Sequence, residues 1–110
     1  MSLFNKAINN RAKIIDKETK YMVKKVKSEI KKRVINGNLN FVVSGSFSYN
    51  HTLDTDMRQE VYRKTCNILK EHYKMEDVFI SECYAYVFEG VNIINGFKVI
   101  IQKRSVNYEQ

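Results

Sequence analysis

Between Gly45 and Asp56 the chain gathers side chains suited to chemistry: Ser46, Ser48, His51, Asp54 and Asp56. Ser46, His51 and Asp54 are the residue types of a nucleophile, base and orienting acid. A triad is a geometry, however, and nothing in this spacing draws the three together. His51, Asp54 and Asp56 could approach a cation, but they match no established ligand spacing. There is no Walker loop and no Gly-x-Gly-x-x-Gly. Cys66 and Cys83 lack Cys-x-x-Cys spacing and read as small buried apolar residues. His72, between Glu71 and Tyr73, reads as a surface residue. The expectation is a protein that is not an enzyme, with no cofactor, no metal and no small-molecule substrate.

The stronger chemical signal is charge. Lys13, Lys17, Lys20, Lys24, Lys27 and Lys31 recur at intervals of 4, 3, 4, 3 and 4, the period of one helix face. Residues 1–36 hold 11 basic and 3 acidic side chains, and residues 37–110 hold 8 and 9, so the net charge of +7 arises in the first third. A solvated helix face ordinarily mixes signs. One so one-sided points to an anionic partner, and lysines that neutralise phosphates supply most non-specific nucleic-acid affinity. The six lysines are the candidate nucleic-acid-binding residues. They would read charge, not bases.

The string Gly45-Ser46 followed by Asp54-Thr55-Asp56 resembles the signature of the nucleotidyltransferase superfamily, a Gly-Ser and a later metal-binding Asp-x-Asp. Such a resemblance would imply metal-dependent transfer. Seven residues separate the two pieces here, and the family needs room for a helical turn and a returning strand. Its Asp-x-Asp lies on a strand, whereas Met57-Arg58-Gln59-Glu60 opens a helix. The aspartates therefore read as helix caps.

A third constellation is aromatic. Tyr84, Tyr86 and Phe88 share one side of a strand and are candidates either for stacking on bases or for an interface. No RNP-like sequence accompanies them.

These residues must be positioned by few elements. Residues 3–35 read as one helix, with Ile8, Ala12, Ile15, Thr19, Met22, Val26 and Ile30 as its apolar row and the lysine row opposite. Asn36-Gly37 is its stop. At 1.5 Å per residue it would be ~50 Å long, against a radius of gyration of ~13 Å for a domain this size. Either it breaks near Asn9-Asn10 or one end projects, and a projecting end needs a partner for Phe4 and Ile8. Strands are expected at 39–47, 78–88 and 97–103, and a second helix at 55–73. Asp54 or Thr55 would cap that helix, and Asp56 with Gln59 resembles a capping box. On 78–88 the odd positions are small and the even ones large. Asn95-Gly96 signals a type I′ hairpin turn, which leaves Val91–Ile94 as a possible short extra strand.

The fold class is α+β, a two-layer sandwich of order α-β-α-β-β. The sheet is expected to be small and mixed, with a parallel strand–helix–strand crossover and both helices on one face. Residues 1–104 form a single domain and 105–110 a polar tail. Hydrophobic residues at 44% and charged residues at 28% suit a globular chain. No apolar run approaches a membrane span. Lys6 and Arg11 interrupt any signal-peptide core, and two cysteines make no disulfide framework, so the cytoplasm is the expected location. The first functional reading is a small nucleic-acid-binding module that contacts phosphates through its first helix. The alternative is an oligomerising structural or adaptor protein using the long helix and an open aromatic sheet face. A homo-oligomer is expected in either case. The Lys, Asn and Ile usage would suit a low-GC genome or its phage.

Overall fold

A computed structural model describes residues 2–48, 50, 52–87 and 93–104. The order is α1 (Leu3–Ile35), β1 (Asn40–Ser46), α2 (Thr55–His72), β2 (Val78–Val87) and β3 (Ile94–Lys103). The expected His51 and Phe88 sites, residues 91 and 92 of the possible extra strand, and the tail 105–110 lie outside the described residues.

α1 runs unbroken through Asn9-Asn10 for 33 residues. Ser2 caps its start by accepting from the Asn5 N–H. Its end is a Schellman motif: Gly37 takes a φ of +90°, its N–H donates to the Val34 carbonyl, and the Asn38 N–H reaches back to the Arg33 carbonyl. Because the helix does not break, one end projects. The molecule extends 63 Å along its longest axis and 23 Å along its shortest, with a radius of gyration of 16.4 Å. Burial on α1 begins at Ile15 and recurs at Thr19, Met22, Val26 and Ile30.

α2 begins at Asp54, whose carboxylate accepts from the Met57 N–H at 2.9 Å. The cap is therefore Asp54, and Asp56 is not part of a capping box. α2 runs parallel to α1: Arg11 meets Asp54 near both N-termini, Asp16 meets Lys64 further along, and Ile30 and Val34 line one cleft with Tyr73 near both C-termini. Both helices cover the same sheet face.

The sheet has the order β1-β3-β2 and is antiparallel at both hydrogen-bonded seams. β1 and β2 do point the same way, as a strand–helix–strand unit requires, but β3 lies between them. No parallel seam forms, so the sheet is not mixed. The reason is residue type. Phe97, Val99 and Ile101 are fully buried, which suits β3 to the centre, with α2 packed over it and α1 over β1.

Two details of register depart from the strand pattern. A bulge between Ile80 and Glu82 leaves Ser81 as an extra residue. An extra residue flips the parity of everything beyond it. Val78 and Ile80 thus join Cys83 and Ala85 against the core, while Phe79 joins Glu82, Tyr84 and Tyr86 on the open face. Asn95-Gly96, expected as a turn, lies inside β3. A type I′ turn needs positive φ at both central residues, and among the described residues only Gly37 has it. Gly96 serves close approach instead. It pairs with Ser46 on one side and Tyr86 on the other, and a Cβ there would collide with the Gly45 carbonyl oxygen and the Tyr86 hydroxyl.

Candidate nucleic-acid interface

The lysine stripe follows from the α1 period, but its bearing is set by α2. Lys13, Lys17, Lys20, Lys24 and Lys31 are exposed, and Lys27 is half-buried. The stripe does not stand diametrically opposite the covered face. α2 packs on the flank of α1, so the covered sector widens through Val23 toward the lysines. Lys20, Lys24 and Lys27 line a cleft of about 360 Å³ together with Val23 and the exposed Ile68 of α2.

The electrostatics of the stripe are set by where the carboxylates go. Asp16 pairs with Lys64 of α2 at 3.8 Å, and Glu29 pairs with Arg33 at 3.3 Å. Neither cation belongs to the row. The third acidic group of α1, Glu18, stands about 160° round the helix from Lys20 at 100° per residue. Among the described residues the ion pairs use Arg11, Arg33, Arg63 and Lys64, and none of the six lysines. Six ammonium groups along roughly 27 Å of helix thus stand outside the ion pairs among the described residues.

Of the side chains that suggested chemistry, Ser46, Ser48, Asp54 and Asp56 are engaged in local contacts. Asp54 caps α2 and accepts from Arg11 at 3.2 Å; Asp56 is 3.9 Å from the same guanidinium. Ser46 and Ser48 share a hydrogen bond of 2.9 Å, and the Ser48 hydroxyl donates to the Asn95 side chain at 2.8 Å. Among the described residues no cluster of three or more His, Cys, Asp or Glu could hold a metal. His72 is exposed, with the Tyr73 ring edge-on to it at 4.7 Å.

Tyr84 and Tyr86 lie on the far side of the molecule, on the sheet face away from the helices. Tyr84 is exposed. Tyr86 lies close over Gly96, and the Lys98 ammonium is 5.8 Å from its ring centre. Phe79, brought here by the bulge, carries the Arg104 guanidinium at 5.0 Å. The two candidate surfaces are therefore separate, with the whole sandwich between them.

Reading the sequence alone passed over Arg58. It is buried and donates to three backbone carbonyls: Leu53 at 3.1 Å, Asn50 at 3.0 Å and Ile94 at 2.8 Å. Its guanidinium lies 5.9 Å from the Phe47 ring centre. A single Arg in the first turn of a helix carries no signal of this role, because one acceptor lies 36 residues away and the other two are backbone groups of the preceding loop. Comparison with protein-family models, curated proteins and solved structures gave no match to this chain. No helix among the described residues is long and apolar enough to cross a membrane.

Proposed function

We propose that the protein is a small, non-enzymatic nucleic-acid-binding module that engages phosphates through the outer face of α1. One observation supports this reading: six lysines share one stripe, and none of them forms an ion pair with a carboxylate among the described residues. Holding six like charges together without counter-charges is a repulsive arrangement that an anionic polymer relieves. Lys13, Lys17, Lys20, Lys24, Lys27 and Lys31 are the contact residues. The affinity is sequence-independent because an ammonium group on a flexible stem is a point charge, not a base reader.

Titration of labelled duplex DNA and RNA across a salt series tests it. Neutralising six phosphates gives a log–log slope of about −5 on duplex DNA. Replacing the exposed Lys13, Lys17, Lys20 and Lys24 by Glu abolishes binding and leaves the fold intact, since solvent-face changes usually cost under ~0.5 kcal/mol each. Loss of binding on truncating Tyr84 and Tyr86, with the charge reversals silent, would move the function to the sheet face. No binding even at low salt would end this reading.

A second reading, an oligomerising adaptor, is favoured by the projecting end of α1. Leu3 and Phe4 are each 82% exposed and Ile8 is 63% exposed. Two copies crossing at this end would cover each other's apolar row, and would bring two lysine stripes into one assembly. Light scattering decides it: Phe4→Ser with Ile8→Ser turns an oligomer into a monomer, whereas a wild type that is already monomeric defeats this reading.

A further inference from the structure

Cys66 and Cys83 are far apart in sequence, yet the fold brings them together. Cys66 lies on α2 and is buried in the core, while Cys83 lies on β2 opposite Val99 and faces the same helix layer. The Tyr62 hydroxyl donates to the Cys83 carbonyl at 3.3 Å, which pins α2 over this point of the strand. Cys66 follows Tyr62 by one helical turn, on the same side. The two thiols are near enough for each to shift the other, Cys83 downward and Cys66 upward. Lys70, a further turn along α2, adds a positive charge near the pair. β2 is an edge strand, so Cys83 is half-exposed where Cys66 is buried.

We propose that Cys66 and Cys83 are a redox pair that closes to an intramolecular disulfide on exposure to a peroxide. The environment divides the roles. The nearby Cys66 thiol and the Lys70 charge lower the Cys83 thiol, while the nearby Cys83 and burial raise Cys66. The Cys83 thiolate attacks one peroxide oxygen. An S–O bond forms, the O–O bond breaks, and the departing hydroxide takes a proton to become water. The Cys66 sulfur then attacks the Cys83 sulfenic sulfur. An S–S bond forms, the S–O bond breaks, and the second oxygen leaves as water with the Cys66 proton. The two thiols lose two electrons and one peroxide is reduced to two waters. A thiol reductant reverses the product. The closed bond would tie α2 to the edge strand across the turn that joins them in sequence.

The test treats the full chain with hydrogen peroxide, removes the excess, and counts thiols after denaturation. The count falls from two to none, the peptides containing Cys66 and Cys83 are recovered linked with the loss of two hydrogens, and the product runs as a single chain without reductant. Dithiothreitol restores both thiols. Two thiols surviving oxidation, or linkage only between chains, would overturn the proposal. Cys66→Ala removes the resolving sulfur, so a sulfenic-acid-trapping dione labels Cys83; in Cys83→Ala it leaves Cys66 unlabelled. Equal labelling of Cys66 would overturn the division of roles.

Discussion

The two halves of α1 carry the same apolar period and meet opposite fates. From Ile15 to Ile30 the row is buried under α2 and the sheet, with Met22 only 1% exposed. From Leu3 to Ala12 the row continues, but Phe4 stands in solvent. The boundary falls where α2 begins, because α2 is the element that covers the flank of α1. Periodicity thus specifies which face of a helix wants cover. The length of the neighbouring element decides how much of that face receives it.

Truncation separates the halves most sharply. Met22→Ala leaves a cavity in the core and lowers stability by about 2–5 kcal/mol, whereas Phe4→Ala changes it by under ~0.5 kcal/mol in the monomer. Urea unfolding at low protein concentration measures both. Equal losses would show that the projecting half is covered after all. A Phe4→Ala loss that grows with protein concentration would show that a second copy covers it.

The boundary itself depends on the loop into α2. Arg58→Met leaves the Leu53, Asn50 and Ile94 carbonyls without their donor. Each buried acceptor left unpaired costs about 1–3 kcal/mol. The expected result is a loss of that order or more, with faster amide exchange through 50–57 than through the middle of α2. Exchange unchanged in that segment would show that the boundary does not rest on Arg58. Asp54→Ala is milder. It removes the cap, at about 1 kcal/mol, while the exposed Arg11 pair adds little. Asp54→Asn, which keeps the cap and loses the charge, recovers most of the loss by thermal unfolding.

The smallest effect concerns pH at the covered end. Burial raises the phenols of Tyr73, which shares a cleft with Ile30 and Val34, and of Tyr62 above the ordinary value of 10.0. A raised folded-state value means the folded chain holds these protons more tightly than the unfolded chain. Their contribution is complete below that ordinary value and is lost as pH rises beyond it. Stability therefore falls at alkaline pH, and Tyr62→Phe with Tyr73→Phe flattens the fall. The same slope in the double variant would assign the effect to other groups.

Much of this was legible in residue order. The α1 and α2 rows, the Gly37 stop and the Asp54 cap are set within one or two helical turns, and each appears where its local chemistry requires. The lysine stripe was equally legible, because both its period and the scarcity of nearby carboxylates are local. The strand region was harder. Alternation along 78–88 gave two faces, but the Ser81 bulge exchanged them midway, moving Phe79 outward and Ile80 inward. The residues around Ser81 do not announce a bulge. It is a mismatch between two strands, and it exists only once β3 has been laid beside β2.

By itself the sequence determined the helices, their stops, their apolar rows and the concentration of positive charge. Each depends on neighbours three or four positions apart, and backbone geometry brings those together in any environment. Tertiary structure alone decided that β3 lies between β1 and β2 and that Asn95-Gly96 packs within a strand. It also decided that Arg58 reaches the Ile94 carbonyl 36 residues away and that Ser48 reaches Asn95 47 residues away. These partners meet only when buried apolar faces choose their neighbours. That choice is made by the area removed from water across the whole core, a quantity that no short stretch of sequence contains.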